Sequence, residues 1–232
     1  MIRGALGSRY GISPLGRGVI RPASGGWWLS GGIAAANCIA AYQPKGAASL
    51  AASYVNLTGN ASYNLTEISS SPAWDATDGW QFLESGGKYL NTNYVPTLRT
   101  CSMIVRFKDV NPDIATQGIC GASNNLVNTT LALCGRWSTN QTAYGNGALA
   151  GKAGQTLSGI MAMAGKDFYI NGSYVAACGD GSGSLTYSVT IGNINGYGDL
   201  YSTTADVLAF AIYDTVLTST QVGLLTTAMA AL

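Results

Sequence analysis

The sequence has 232 residues, which suits one domain with a substantial core. Charged residues make up 10% of it and the net charge is +1, so the overall field favours neither nucleic acid nor an acidic partner. Histidine is absent, which excludes the commonest zinc ligand and all nucleophilic sites built on a histidine base.

The first 24 residues are predicted to form an extended basic arm. Glycine, proline and serine interrupt this segment without periodicity, so it buries too little surface to fold alone. We expect its four arginines to anchor it on a partner in a multi-chain assembly: Arg3, Arg9, Arg17 and Arg21. The segment lacks the apolar core of a signal peptide, and no apolar run long enough for a membrane span occurs, so neither Sec-type export nor membrane insertion is expected.

Residues 25–37 are predicted to join this arm to the folded domain. The stretch "SGGWWLSGGI" sets two tryptophans among glycines and serines, without charge. Glycine lets the chain turn, while Trp27 and Trp28 can bury a large area against the domain or a neighbouring subunit. We interpret the pair as a packing anchor that sets the direction of the arm; a ligand platform is the alternative.

Residues 38–232 have the pattern of a β-domain. One face of the alternating run "CSMIVRF" carries Cys101, Met103, Val105 and Phe107. The pair Asn171-Gly172 between two β-rich runs predicts a type I′ hairpin, because both central residues of that turn need positive φ. All six prolines lie at or before Pro112, which leaves the second half free to form continuous sheet. The prediction is an all-β, two-sheet antiparallel jelly-roll sandwich.

Two short helices are expected beside the strands. The segment "PKGAASLAASYVNL" has an alanine-rich centre, which favours a helix. The segment "LTSTQVGLLTTAMAAL" begins with a capping box at Thr218 and Gln221, and apolar residues follow at helical spacing. The chain should therefore close with a short helix whose apolar side lies against the sandwich.

The cysteines are odd in number and show no CxxC spacing. Such a set predicts buried free thiols, with one or two disulfides as the alternative. The residues concerned are Cys38, Cys101, Cys120, Cys134 and Cys178.

A series of phrases in fixed order resembles the laminin G-like branch of the concanavalin A-like lectin/glucanase superfamily. The phrases are "CIAAYQP", "GWQFLESGGKYLNT", "CSMIVRFKDV", "FYINGSYVAA", "VTIGNINGYGD" and "ADVLAFAIYDTVLTSTQVGLL". They span nearly all of the expected domain, and the resemblance implies a jelly-roll sandwich there. It also suggests a bacteriophage setting, in which unsecreted proteins with short basic arms and one such domain form part of the virion surface.

Paired carboxylates of the kind that glucanases use are missing. Glucanases of the superfamily carry an E-x-D-x-x-E phrase, because retaining hydrolysis needs two carboxyls about 5 Å apart. This sequence has two glutamates, Glu67 and Glu84, both in contexts typical of loops, and its nine aspartates are scattered near turns. We therefore expect no catalytic residues and no enzymatic activity.

Two further sequence patterns, a glycine-rich loop and a set of N-x-S/T triplets, are expected to have no role in ligand binding. The glycine-rich loop around Asp180 lacks the features of a phosphate-binding or EF-hand loop, although calcium at Asp180 and Asp199 is an alternative because some family members bind it at a sandwich edge. No other cofactor is expected. Six N-x-S/T triplets occur, which we attribute to a chain rich in Asn, Ser and Thr: Asn56, Asn60, Asn64, Asn128, Asn140 and Asn171.

Aromatic residues in two predicted loops are the candidates for ligand binding. Sugar sites stack a pyranose face on Trp or Tyr beside amide or carboxylate partners. The stretches "GRWSTNQTAYGNG" and "NINGYGDLY" have that composition. The candidate glycan-binding residues are Trp137, Asn140, Tyr144, Asn195, Tyr197 and Asp199. Packing under loops or contact with another subunit is the alternative for these aromatics.

Two functions follow as expectations from these observations. The first is a non-enzymatic structural protein of a phage particle, a capsid-decoration or tail-type component that is anchored by its arm to other virion subunits and exposed at the virion surface. The second is a carbohydrate-binding adhesin module that recognises cell-surface glycans. A homo-oligomer is expected, and no nucleic acid is expected as a partner in either case.

Overall fold

Two antiparallel sheets form the body of the protein in a computed structural model that describes residues 26–82, 88–138, 140–181, 183–196 and 198–232. The strands, in chain order, are β1 (Cys38–Tyr42), β2 (Thr66–Ser69), β3 (Ala73–Asp75), β4 (Gly79–Gln81), β5 (Lys88–Asn91), β6 (Ser102–Lys108), β7 (Gln117–Asn125), β8 (Thr129–Trp137), β9 (Gln141–Gly147), β10 (Leu149–Ala153), β11 (Gly159–Ala164), β12 (Asp167–Ile170), β13 (Ser173–Ala177), β14 (Thr190–Ile191), β15 (Ile194–Asn195) and β16 (Asp206–Tyr213).

The first sheet has the order β13-β12-β11-β6-β16-β4-β3, with β1 also paired to β16. The second has the order β10-β9-β8-β7-β14-β5-β2, with the short β15 added parallel to β7. The strand pairs along both paths are antiparallel, so the all-β, two-sheet prediction is confirmed. The four arginines of the predicted arm, Arg3, Arg9, Arg17 and Arg21, lie outside the described residues.

The core between the sheets follows from the alternation of side chains along each strand. In β6, Met103, Val105 and Phe107 belong to the inter-sheet core, whereas Ile104 joins a separate cluster on the other face of the first sheet. Successive side chains of a strand point to opposite faces, so the sequence pattern determines this division. Because both faces of β6 are covered, the first sheet is the middle of three layers.

Helix α2 (Ser219–Ala230) forms the third layer. Its capping box is present as predicted: the Gln221 backbone N–H donates to Thr218 Oγ1, and the Gln221 side chain accepts from the Thr218 backbone N–H. At its other end, Arg106 Nη1 donates to the Met229 carbonyl at 2.6 Å. A cation at the last turn satisfies a free carbonyl and opposes the negative end of the helix dipole.

Two other local predictions are confirmed. Asn171 and Gly172 have φ of 49° and 79° and connect β12 to β13. The alanine-rich segment contains helix α1 (Leu50–Ser53), in which the Ser49 side chain accepts from the Ala52 backbone N–H. Both features depend on residues close in sequence, which is why local pattern was sufficient to predict them.

All five cysteines are buried and free, which confirms the prediction of buried free thiols over that of disulfides. Burial raises the pKa of the Cys38 and Cys101 thiols to about 12. Thiols of this kind stay protonated and pack as small apolar side chains. Among the helices in the described ranges, none has the length and apolar character needed to cross a membrane.

Candidate functional site

A segment between β15 and β16 crosses the outer face of the second sheet. The floor beneath it is made of small residues, since a side chain at Gly118 would begin 2.6 Å from Ile194 Cγ1 and 2.8 Å from the Tyr201 carbonyl oxygen. Ile194 is fully buried on this floor beside Ala132 and other small side chains. Only glycine at position 118 lets the segment lie this close to the sheet.

An aromatic pair lies where β8 ends. The rings of Trp137 and Tyr201 are stacked, with centroids 5.2 Å apart and an interplanar angle of 8°. Both side chains are half-buried, and they pack with the half-buried Leu149 against the small-residue floor. The neighbouring Leu200 is 75% exposed. We call Trp137, Leu149, Leu200 and Tyr201 the aromatic surface.

One of the predicted polar residues, Asn140, lies beside this surface. Asn140 is exposed in the turn between β8 and β9, where its carbonyl accepts from the Gly154 N–H at 3.0 Å. Asn195 lies away from the pair, because it is opposite Ala122 on β7, which is opposite Leu131 on β8, six residues before Trp137. It is half-buried, and its Nδ2 donates to the Ser188 carbonyl at 2.9 Å. The contact given for Asn140 involves its backbone carbonyl, which leaves its side-chain amide to bind a ligand.

Tyr144 was wrongly placed in the predicted site. It lies in β9 and is 3% exposed, and its ring stacks on Phe168 with centroids 4.1 Å apart. Burial raises the pKa of its hydroxyl. The stretch that we took for a loop is a buried strand, in which alternation directs this side chain into the core. Of the remaining predicted residues, Tyr197 and the Asp199 side chain lie outside the described part of the structure.

Trp27 and Trp28 lie far from this surface in the fold, on the helix-covered face of the first sheet. Trp27 is 7% exposed within the cluster beneath α2, and Trp28 packs against that cluster with its ring perpendicular to that of Trp27. The Trp28 carbonyl accepts from the Tyr213 hydroxyl at 2.9 Å. These contacts hold the start of the described chain against the domain and leave Trp27 no open face for a ligand.

Asp180, one of the two residues predicted as calcium ligands, forms an ion pair with a lysine. Its Oδ1 accepts from Lys166 Nζ at 2.9 Å and lies 3.8 Å from Arg99 Nη1. The lysine lowers the pKa of this carboxyl, so the ion pair persists at neutral pH. Within the described ranges no three Asp, Glu, Cys or His side chains come together as metal ligands. Since the Asp199 side chain lies outside the described residues, calcium at Asp180 and Asp199 stays a prediction.

The carboxylates elsewhere have structural partners. Lys108 Nζ lies 2.5 Å from Asp78, 3.3 Å from Asp109 and 3.5 Å from Asp206, so one cation neutralises much of an acidic cluster. Burial raises the pKa of Asp206. Glu67 lies on β2 and not in a loop, and it accepts from the Ser71 hydroxyl at 2.5 Å. Glu84 lies outside the described residues.

The asparagine triplets include residues with clear structural roles. Asn56 is 2% exposed, and its amide makes four hydrogen bonds to backbone groups. Asn171 accepts from the Ile160 N–H through Oδ1 in addition to forming the hairpin turn. The buried Asn56 amide is inaccessible to a glycosyltransferase in the folded domain, which agrees with attributing that triplet to composition.

Neither a protein-family model nor a curated protein matches the chain. Solved structures do match it. A Trypanosoma rangeli sialidase mutant with trans-sialidase activity is similar with a TM-score of 0.59 and 13% identity, over 84% of this chain and 34% of that chain. The Trypanosoma rangeli sialidase in complex with sialic acid is similar with a TM-score of 0.54 and 14% identity, over 82% of this chain and 33% of that chain. The binding domain of botulinum neurotoxin DC in complex with rat synaptotagmin II is similar with a TM-score of 0.56 and 11% identity, over 84% of this chain and 52% of that chain.

These similarities correct one expectation from the sequence. We expected no enzymatic activity because the paired carboxylates of glucanases are missing, but solved structures that share the fold include sialidases, so that exclusion was wrong. The chain spans about a third of the sialidase chains at 13% identity, so activity is not established either. These structures do not show a laminin G-like or a phage family for this chain. The feature that the chain shares with them is the fold, a two-sheet antiparallel β-sandwich.

Proposed function

We propose that the chain is a carbohydrate-binding module, of the laminin G-like kind within the concanavalin A-like superfamily, that recognises glycans through the aromatic surface. The stacked, half-buried pair of Trp137 and Tyr201 carries this proposal. A pyranose ring presents an apolar face of C–H groups, which packs on an aromatic ring while neighbouring amides bond the hydroxyls. Asn140 is the described amide beside the pair, in the turn between Trp137 and its strand partner Gln141.

The rigidity of the surface supports this function. Tyr201 stacks behind Trp137, and the crossing segment is fixed by the buried Ile194 above Gly118. A platform that is already ordered loses little conformational entropy when a ligand binds. The fold gives further support at the level of analogy, since one structurally similar protein was solved in complex with sialic acid.

Replacing Trp137 with alanine is expected to weaken glycan binding about fivefold to a hundredfold, the loss that corresponds to removing a single aromatic–sugar stack of about 1–3 kcal/mol. The wild-type chain and the variant would be tested side by side on a glycan array, followed by titration with the strongest oligosaccharide. Tyr174→Ala is the matched control, because Tyr174 is 57% exposed on the edge strand β13, in the other sheet. Equal loss in both variants, or no loss in Trp137→Ala, would contradict the proposal.

A second candidate is a surface component of a virus particle that is anchored by the preceding arm to other subunits. The observation that favours it is the fixed position of Trp27 and Trp28, which sets where the chain enters the domain. The arm contributes four arginines and no acid, which suits docking on a carboxylate-bearing partner. Deleting residues 1–24 should then abolish assembly into particles or oligomers, as measured by sedimentation, and normal assembly of the truncated chain would rule this out.

A further inference from the structure

A groove of about 310 Å³ lies at the other end of the sandwich from the aromatic surface. One wall is formed by the loop before β6 and the other by the loop before β14. Its lining residues are Val95, Pro96, Thr97, Leu98, Arg99, Gly183, Ser184 and Leu185. The two sites are separate. The Arg99 backbone N–H donates to Asn146, which lies opposite Leu131 in β8. Trp137 is at the end of β8, about 20 Å from Leu131 along the strand.

Arg99 has a backbone conformation that requires support. Its φ is 67°, in the left-handed region that non-glycine residues seldom occupy. The support comes from Asn146, a fully buried side chain whose Oδ1 accepts from the Arg99 N–H at 2.6 Å and whose Nδ2 donates to the Gly165 carbonyl at 2.8 Å. Strained residues that the surrounding structure holds in place are concentrated at ligand-binding positions.

The guanidinium of Arg99 has donors to spare. It is 42% exposed, and its Nη1 lies 3.8 Å from Asp180, beyond hydrogen-bond distance, while Asp180 is bonded to Lys166 instead. In the part of the chain that the structure describes, the Arg99 side chain makes no hydrogen bond. Two cations beside one carboxylate leave a net positive charge at the rim, and a planar guanidinium matches a carboxylate in bidentate geometry.

The rest of the groove indicates the size and character of the ligand. Its volume is at the lower limit for small-molecule sites, which suits a single sugar residue better than an oligosaccharide. Leu98 and Leu185 are buried and give an apolar floor, while Thr97 and Ser184 supply hydroxyls. The second wall is rigid, because Asn124 bonds both the Ser184 carbonyl and the Thr186 N–H.

We propose that this groove is a second binding site, for a carboxylated monosaccharide of the hexuronic acid type, with Arg99 binding the carboxylate. The apolar floor would contact the C–H face of the sugar ring, and Thr97 and Ser184 would bond its hydroxyls. This site is independent of glycan binding at the aromatic surface, so one proposal can fail without the other.

The test is titration calorimetry of the full chain at low salt with D-glucuronate, D-glucose and inorganic phosphate in turn. Glucuronate should bind saturably below about 10 mM, and glucose and phosphate should bind at least tenfold more weakly. Arg99→Gln should weaken glucuronate binding about tenfold to a hundredfold, the usual loss for a charge-assisted pair. Two control variants should bind glucuronate with unchanged affinity: Lys152→Gln, which removes a cation on β10, and Trp137→Ala.

Five outcomes would overturn the proposal, and the first four concern the ligands and Arg99. These are no saturable glucuronate binding, equal binding of glucose, equal binding of phosphate (which would indicate a simple anion site), and unchanged affinity in Arg99→Gln. Loss of glucuronate binding in Trp137→Ala would also overturn it, since the ligand would then lie on the aromatic surface. Thermal unfolding of each variant verifies the fold, and Arg99→Lys, which keeps the charge but not the planar fork, should recover part of the affinity.

Discussion

Replacing Asn56 with alanine is expected to lower the free energy of unfolding by about 4 kcal/mol. Its Oδ1 accepts from the Ala41 and Thr58 N–H groups at 3.0 and 3.1 Å, and its Nδ2 donates to the Ile39 and Asn60 carbonyls at 3.1 Å each. These bonds connect the loop after α1 to β1. Truncation leaves buried backbone groups unsatisfied, at about 1–3 kcal/mol for each that water does not reach.

Urea denaturation of the purified chain measures this loss directly. Asn140→Ala is the matched control, since Asn140 begins another N-x-T triplet but is exposed at a hairpin turn, and its loss should cost less than about 0.5 kcal/mol. Equal stability of the two variants would show that the Asn56 hub contributes nothing. The comparison also separates the structural role of Asn56 from any role as a glycan acceptor.

Replacing Trp27 with alanine is expected to cost about 3–5 kcal/mol, the range for truncating a large aromatic side chain in a packed cluster. Trp27 is 7% exposed between the first sheet and α2, and its Nε1 has no hydrogen-bond partner among the described residues. The loss is therefore one of packing. A cavity at this point would also loosen the contact between α2 and the segment that leads into the domain.

Thermal unfolding at fixed protein concentration, followed by far-UV circular dichroism, gives the measurement. Trp28→Ala serves as the control, because Trp28 is only half-buried and bonds to Tyr213 through its backbone carbonyl, which the substitution leaves in place. We expect a smaller cost for it, about 1–2 kcal/mol. A Trp27→Ala chain as stable as the wild type would mean that this residue is not an anchor.

Local pattern was sufficient to predict much of the fold. The alternation in β6, the hairpin at Asn171 and the capping box at Thr218 all depend on residues within a few positions of one another. Turn geometry and helix capping are set by such near neighbours, so one sequence shows them. The all-β class then followed from the number of strand patterns and turn signals.

The candidate sites could be predicted only in part. The composition of its sequence stretch predicts Trp137 as a site residue. Its partner Tyr201 lies 64 positions further along the chain, and the two rings meet only because the segment after β15 crosses the sheet. Tyr144 was misplaced because a glycine- and asparagine-rich stretch resembles a loop although it forms buried β9. Nothing near Arg99 in sequence indicates that Asn146 supports its backbone. Such contacts depend on tertiary packing, which overrides local propensity.

The most direct test of glycan binding at the aromatic surface is the indole N–H region of a ¹H–¹⁵N spectrum. The chain has five tryptophans, so five signals are expected, and substitution assigns the signal of Trp137. During titration with the strongest oligosaccharide from the array, the Trp137 signal should shift saturably. That of Trp80, which is fully buried and donates to Ser53 Oγ, should stay in place. An unchanged Trp137 signal while the oligosaccharide binds would contradict the account.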